Sequence, residues 1–495
     1  MKKTGVTGNI SLDVLHFEEI YKDCDDVKKI KMQIAGHRVY LAYLEVAFNS
    51  GNLKSTAVGT LLQWLMEQEA MGSELVELLH DNPAGISDYM LYDTVEEAAQ
   101  AMLTGDAILF IEGVNYAIKI PDRGYPGMGV YQCEEEKVIR GSNEGLSDSV
   151  KTNVALVRKR LRSTRVRVKN QVIGVRSHTL VQYMYMEDLV RPELLEELQA
   201  RFQKYEIDGV LDSGILEQLA EDKWYSPFPQ FQTTQRPDRC AHALLEGRIV
   251  VLSDNSPVAL MLPTDYNSFL KTTDDYYNRW DTATFARILR FFAAFFAMSL
   301  PGLYLAVTNF HTQILPTTLL MSFQEAREGV PFPTVFEVIL MELSFELLRE
   351  AGVRLPGAMG STIGIVGGLI IGQAAVEANL VSPIVVILVS FTALCSFAIP
   401  NEEFAYAFRV LKFVVIAMSA WFGFFGFMVA LCGVQLHLAR LKSFGVPYLM
   451  PYVAADVNHY EDEKDFVWRG PIKALRYRPI YTRVGRRRRL RKREN

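Results

Sequence analysis

Four stretches in the C-terminal half of the chain carry no Asp, Glu, Lys or Arg: Phe291–Gln324, Leu355–Val376, Ala378–Asn401 and Phe413–Ala439. A membrane-crossing helix needs about 20 mainly apolar residues to span roughly 30 Å of hydrocarbon, and each window can supply it. Four buried helices of one soluble domain would be an unusual way to fill so short a region. The pattern therefore predicts an α-helical, polytopic membrane domain over 285–440 with four to six inserted elements. Arg287 and Arg290 fit the cytoplasmic edge of a first helix running from about Ile288 to about Asn309. Inside it, Pro301-Gly302 favours a kink or close helix packing over termination. The last crossing is expected from near Lys412 to just before Arg440 and Lys442, with both ends of the domain cytoplasmic and an even number of crossings. Residues 310–356 are the difficult part. Four crossings would leave them outside, against Arg327, Arg349 and Arg354, whereas Pro316 within the short run Ile314–Phe323 suits a re-entrant pair or a broken helix.

The N-terminal half alternates instead. Residues 31–48 predict two strands about a Gly36-His37 turn, 56–68 and 94–103 predict helices, and Asp106–Ile120 predicts a hairpin turning at Gly113-Val114-Asn115. These make a mixed α/β domain over 1–130. A second one, over 140–275, is expected from a helix at Asp148–Leu161, strands at Val166–Val175 and Leu180–Met186, and a helix at Arg191–Lys204 with Pro192 in its first turn. Two short strands about Asp254-Asn255-Ser256 follow within Arg248–Leu262. No internal repeat is evident. The fold class is thus an α+β cytoplasmic region followed by the membrane domain, with 441–495 a basic cytoplasmic tail.

Composition sharpens this only in places. The 495 residues suit two or three domains, and the start lacks the apolar run of an export signal. Cys24, Cys133, Cys240, Cys395 and Cys432 are scattered, suggesting neither a disulfide scaffold nor a zinc site. No phosphate loop, dinucleotide fingerprint, HExxH or CxxC occurs. No catalytic, cofactor-binding or metal residue is assigned, and an enzyme is not expected. Gly141 and Gly145, in GSNEG, read as a turn before a helix. The run Arg158, Lys159, Arg160, Arg162, Arg165 and Arg167 reads as solvated charge or an anion-binding face. The formal net charge is −5, and eight Arg or Lys between Arg483 and Arg493 leave −13 on the rest. Beside a membrane, Arg486, Arg487, Arg488, Arg489 and Arg491 suit contact with inner-leaflet phosphates better than nucleic acid.

Acidic residues in apolar surroundings are the candidate ion path or gate. Residues 334–350 predict a helix that carries Glu342, Glu346 and Glu350 on one face, either lying at the interface or lining a hydrated path. Glu337 falls on the same helix. Glu377 interrupts two apolar windows with Gln373 a turn earlier, in a loop or facing protein or water. The glycines of Gly364–Gly372 permit tight helix packing and hence a compact bundle or an oligomer.

The blocks RGSNEGLSDSVKTNVALVRKRLR (140–162), SPFPQFQTTQRPDRCAHALLEGRIVVL (226–252), 301–356, IGQAAVEANLVSP (371–383) and LKSFGVPYLMP (441–451) together resemble the A-subunit family of bacterial spore germinant receptors. The compact length and start look closer to its stage V sporulation protein AF-like subgroup. The resemblance implies an oligomeric cation channel in the spore inner membrane, soluble domains facing the core, acting with other germination membrane proteins and with lipid. Its alternative is a non-conducting scaffold for such proteins. On this reading Glu342 and Glu346 attract cations, Glu377 gates or meets a neighbouring subunit, and Glu337 and Gln373 belong to the same regions.

Overall fold

The computed structural model describes residues 4–47, 56–68, 70, 73–122, 124, 132–133, 136–353, 371–453 and 465–490. The chain forms two units. One comprises Met1–Asp222, Gln230–Thr264 and Arg476–Asn495, and the other Lys223–Pro229 and Asp265–Leu475.

The first unit is α+β. It opens with α1 (Ile10–Ile20), β1 (Val27–Ile34), β2 (His37–Leu44), α2 (Ala57–Met66), α3 (Ser73–His80), β3 (Met90–Tyr92), α4 (Val95–Met102), β4 (Ala107–Ile111) and β5 (Ala117–Ile120). It continues with α5 (Val150–Arg160), β6 (Val166–Ile173), β7 (Thr179–Met186), α6 (Pro192–Gln203), α7 (Ser213–Ala220), β8 (Gln232–Thr234), α8 (Pro237–Leu245), β9 (Ile249–Ser253) and β10 (Ala259–Leu262). The strands make two antiparallel five-stranded sheets, ordered β1-β2-β4-β5-β3 and β6-β7-β9-β10-β8.

These two series are the same series. Each runs helix, two strands, two helices, strand, helix, two strands, and each sheet places its third strand last, beside its fifth. Residues 95–121 align with 237–263 without a gap, keeping Ala99/Ala241, Ala101/Ala243, Leu103/Leu245, Gly105/Gly247, Ala117/Ala259 and Pro121/Pro263. Gly105 (φ 95°) and Gly247 (φ 82°) each follow the helix in the left-handed region, where a residue without Cβ ends a helix at little cost. The first unit is therefore an internal duplication, contrary to the reading of the sequence. Its halves kept apolar burial and one turn conformation while most residue identities drifted.

A buried ion pair joins the halves. Arg158 donates from Nε and Nη2 to the Asp26 carboxylate at 2.8 and 2.9 Å, and both side chains are essentially inaccessible. Burial works against the guanidinium charge, but Asp26 reverses that and holds its pKa above the usual arginine value. Nearby, Arg167 donates to the Ile20 carbonyl at 2.8 Å and to Glu187 at 2.5 Å. The basic run is therefore neither a solvated face nor an anion site as a whole, because two of its members lie in the interior. Arg160 and Lys159 clamp Glu144 of the GSNEG turn, which occupies that turn with a carboxylate rather than a phosphate.

The stretch expected as one tail divides near 475. Residues 476–490 belong to the first unit, seated on the α8–β9 turn. Thr482 Oγ1 donates to the Glu246 carbonyl at 2.7 Å, and the Arg483 N–H donates to the Leu189 carbonyl at 2.8 Å. Tyr481 is buried beneath the Arg248 guanidinium. A Cβ on Gly247 would meet Thr482 Cα at 2.9 Å, so this seat requires glycine.

The second unit is helical: α9 (Tyr266–Leu270), α10 (Asp274–Tyr277), α11 (Trp280–Phe310), α12 (Thr317–Glu325), α13 (Thr334–Val353), a short helix at 371–377, α14 (Pro383–Phe397) and α15 (Glu402–Arg440). Among the described residues, α11 and α15 are long and apolar enough to cross a membrane. The glycines Gly364 and Gly368 lie outside the described residues. Pro301 is carried within α11 without ending it, and Gly302 gives the close packing, since a Cβ there would meet Val415 Cγ1 at 2.6 Å.

Helix α15 is not one rod. At Gly423 the backbone leaves the helical region (φ 60°, ψ −140°). In a straight helix Phe408 and His437 would stand about 43 Å apart, yet the Phe228 ring lies 5.6 Å from one and 6.2 Å from the other. The helix thus reverses into two antiparallel legs, 402–422 and 424–440, which corrects the single last crossing expected from Lys412. The reversal needs glycine twice: a Cβ on Gly423 would strike the Phe310 ring at 2.8 Å, and one on Gly426 the Met418 carbonyl at 2.0 Å.

Removing one partner of a buried pair strands the other charge. Asp26→Ala is therefore expected to cost about 3–5 kcal/mol, read as a lowered unfolding midpoint of the full chain in detergent. An unchanged midpoint would contradict the role given to this joint.

Candidate functional site

Helix α13 is held along its length by charges. Its first turn follows Pro333, and Val338 and Met341 pack with Tyr304, Val385 and Ile416, which leaves the opposite edge of its inner face to acidic residues. Glu337 has no exposed surface. Its Oε1 accepts from Arg327 Nη2 at 3.1 Å and its Oε2 from the Ser382 backbone N–H at 2.8 Å. Further along, Lys412 Nζ donates to Glu342 Oε2 and, at 3.3 Å, to Glu346 Oε1. Arg409 Nη1 reaches Glu346 Oε2 at 3.3 Å. Arg349 closes the row, donating to Ser396 Oγ at 3.1 Å with its guanidinium 4.2 Å from the Phe397 ring centroid.

The structure thus brings Glu342 and Glu346 together against α15, sets Glu337 against Arg327 and Ser382, and leaves Gln373 and Glu377 apart. These two are exposed and bond to each other, Gln373 Nε2 donating to Glu377 Oε1 at 2.9 Å. Helix α13 is not a surface helix with an acidic face toward water, because Glu342 is only 2% exposed. The cations Arg327, Arg409 and Lys412 were not among the candidates. Lys412 is expected from the sequence as the start of the last crossing, whereas it and Arg409, one turn of helix apart, lie on the face that meets α13.

A second charged cluster ties down the foot of α11. Arg287 is fully buried, donating from Nη1 to Asp465 at 2.9 Å and lying 3.2 Å from Asp275. Arg290 contacts the other oxygen of Asp275 at 2.7 Å, and Lys271 Nζ is 3.5 Å from Asp465. Burial alone would raise the Asp465 carboxyl, but Lys271 and Arg287 hold it down at about 2. Asp275 is likewise lowered, by Arg290 and Arg287 against the effect of burial. Arg287 and Arg290 are therefore interior ion-pair partners at the foot of α11.

In the basic segment, Arg486 and Arg488 are exposed and Arg487 and Arg489 partly so, while Arg491 lies outside the described residues. Arg478 Nη1 binds the carbonyls of Arg486 and Arg488 at 3.0 and 3.1 Å. One arginine thus folds the run back on itself. No group of three or more His, Cys, Asp or Glu suited to a metal ion occurs among the described residues.

An α+β unit joined to a helical unit with two helices fit to cross a membrane, its interior charges paired, defines a membrane-associated protein. The family model of the Bacillus/Clostridium GerA spore germination protein matches residues 15–481, and the chain belongs to this GerA family. It is 35% identical over 455 residues to spore germination protein GerLA of Bacillus cereus, covering 92% of this chain and 91% of that one. Against spore germination protein A1 of Bacillus subtilis (strain 168) the identity is 36% over 452 residues, covering 91% and 92%. The uncharacterized membrane protein YfkQ of the same organism is 37% identical over 443 residues, covering 89% and 84%. The N-terminal domain of the A subunit of the Bacillus megaterium germinant receptor GerK3 superposes with a TM-score of 0.42 at 23% identity, over 53% of this chain and 97% of that domain.

The foot of α11 gives a pH prediction with a definite sign. A carboxylate whose folded pKa is depressed contributes stability above its unfolded value of 3.8, and that contribution is lost as pH falls toward about 2. Asp465→Asn should lower stability at neutral pH and flatten its dependence between these limits, measured by acid titration of the full chain in detergent. An equally steep fall in the variant would exclude Asp465 as its source.

Proposed function

We propose that the chain is a polytopic subunit of an oligomeric cation channel in the spore inner membrane, assisting cation release during germination alongside other germination membrane proteins. The observation that carries this reading is the charge row between α13 and the first leg of α15. Charges kept at hydrocarbon depth are costly and are characteristic of conduction or gating elements. Their role sharpens with pairing. Glu342 and Glu346 face Lys412 and Arg409, so they act as a clasp between two helices, and a conducting state needs that clasp rearranged. Gln373 and Glu377, on the chain's surface, suit contact with a neighbouring subunit. Placement in the stage V sporulation protein AF-like subgroup belongs to this proposal.

Topology supports it. Residues 476–490 fold into the same unit as the N-terminal residues, so whatever crosses the membrane between 265 and 475 does so an even number of times. Tyr304 and Phe296 of α11 meet Val385 and Phe391 of α14 in antiparallel order. Helix α13 runs with α14, from Val338 beside Val385 to Arg349 beside Ser396. With the two legs of α15 these make five passages among the described residues, so an even number calls for a sixth. On this reading both ends and the first unit face the spore core, and Arg486, Arg487, Arg488, Arg489 and Arg491 meet anionic lipid at the inner surface.

A non-conducting scaffold is the second reading, favoured by the internal pairing of Glu337, Glu342 and Glu346 with cations of the same unit. Purified full-length protein in liposomes separates the two: cation flux is expected from the channel and none from the scaffold. Neutralising Glu342, Glu346 and Glu377 together should change that flux, and an unchanged flux would remove them from conduction and gating. With the full chain inserted in vesicles, a fluorophore at position 490 is expected to lie closer to headgroup acceptors in anionic than in zwitterionic bilayers, and replacing the four arginines 486–489 with glutamine should remove that difference. An equal distance in both bilayers for the native chain would end the lipid role of the tail.

A further inference from the structure

Four of the chain's five tryptophans lie in the helical unit, and they mark its two ends. Trp280 opens α11. Trp468 adjoins that first turn, because Thr284 Oγ1 donates to the Arg469 carbonyl at 3.1 Å and accepts from its N–H at 3.2 Å. Trp224 lies against the last turn of α15, where Lys223 Nζ donates to the Arg440 carbonyl at 3.0 Å and Ser226 Oγ lies 2.9 Å from His437 Nε2. A chain of rings sets the last turn of α15 level with Phe291, about 16 Å along α11 from Trp280. Tyr266 is 6.2 Å from Phe291 and 5.2 Å from Phe404, Phe404 is 5.9 Å from Phe228, and Phe228 is 6.2 Å from His437.

Trp421 marks the other end. It stands two residues before the Gly423 reversal, where Gly423 abuts Phe310 and the Phe424 ring lies 6.0 Å from His311. From Phe291 to Phe310 a helix rises about 28 Å, close to the thickness of bilayer hydrocarbon. Within that span Phe292 and Phe295 are exposed on α11, while Arg287 and Arg290 just before it turn inward to Asp275 and Asp465. The tryptophans are themselves exposed: Trp224 by 83%, Trp280 by 44%, Trp421 by 76% and Trp468 by 43%. Exposed Arg279 and Lys442 accompany the first group. An indole with one polar edge is best placed at the headgroup level of a bilayer.

We propose that Trp224 and Trp421, which flank this span, are phospholipid-headgroup contacts in opposite leaflets, with Trp280 and Trp468 beyond the near headgroups. The hairpin 402–440 then reaches the far headgroups instead of stopping within the hydrocarbon. This rests on the membrane reading above but can fail separately from it. Single-tryptophan versions of the full chain, the other tryptophans replaced by phenylalanine, would be placed in phosphatidylcholine–phosphatidylglycerol vesicles. Each vesicle set would carry a nitroxide at the headgroup or deep on the acyl chain. Trp224 and Trp421 are each expected to be quenched more by the headgroup label than by the deep one, and a Trp64-only chain by neither. Stronger quenching of Trp421 by the deep label would overturn the far contact while leaving insertion intact. No quenching of any tryptophan by either label would overturn both readings. Should a single-tryptophan chain fail to fold, Trp421→Phe in the otherwise native chain gives the same answer, by which label loses quenching relative to native protein.

Discussion

Lys412 stands among apolar helices, almost without exposure, and must find negative charge there. It finds two carboxylates on α13, which fixes the rotation of that helix about its axis and its height against the first leg of α15. The same requirement recurs elsewhere in the chain. Arg287 at the foot of α11 is met by Asp275 and Asp465, and Arg158 between the duplicated halves is met by Asp26. Apolar burial alone would let helices slide and rotate at modest cost, because one leucine surface resembles another. A buried cation does not tolerate sliding, since moving it away from its partner exposes the full desolvation penalty. Position in this molecule is set by a few such pairs and filled in by packing.

The sequence showed the elements well where local signals agreed. Alternation in 31–48 and 166–186, the apolar face of 94–103 and the Pro192 start gave strands and helices close to those observed. It hid the duplication, because the halves share burial at 95–121 and 237–263 but few identities, and burial becomes visible only when strands are paired. It also hid the reversal in α15. The run from Phe413 to Ala439 has the composition of one crossing, and its turn depends on Gly423 and Gly426 meeting Phe310 and Met418, contacts made by residues remote in the chain or reversed in direction.

The candidate site was legible by half. Glu337, Glu342 and Glu346 stood out because acidic residues in an apolar setting are conspicuous. Their partners did not, because Arg409 and Lys412 sit where a basic edge to a crossing is expected, and Arg327 sits in a region whose placement was open. A cation just outside an apolar window reads the same whether it faces water or a carboxylate on another helix. Asp465 and Asp275 were invisible for a related reason: they lie nearly two hundred residues apart, and only the fold makes them neighbours of Arg287.

The seat for residues 476–490 bears on how the molecule is made. Thr482 and Tyr481 belong to the first unit, yet they follow the whole helical unit in the chain and are synthesised after it. Until they arrive, the carbonyls of Leu189 and Glu246 have no strap, and the surface around Gly247 is open. A domain that folds early in synthesis would ordinarily be finished early. Here its final contacts wait for the helices in between, so a chain broken anywhere before Arg476 lacks the strap that Thr482 and Arg483 lay across Glu246 and Leu189.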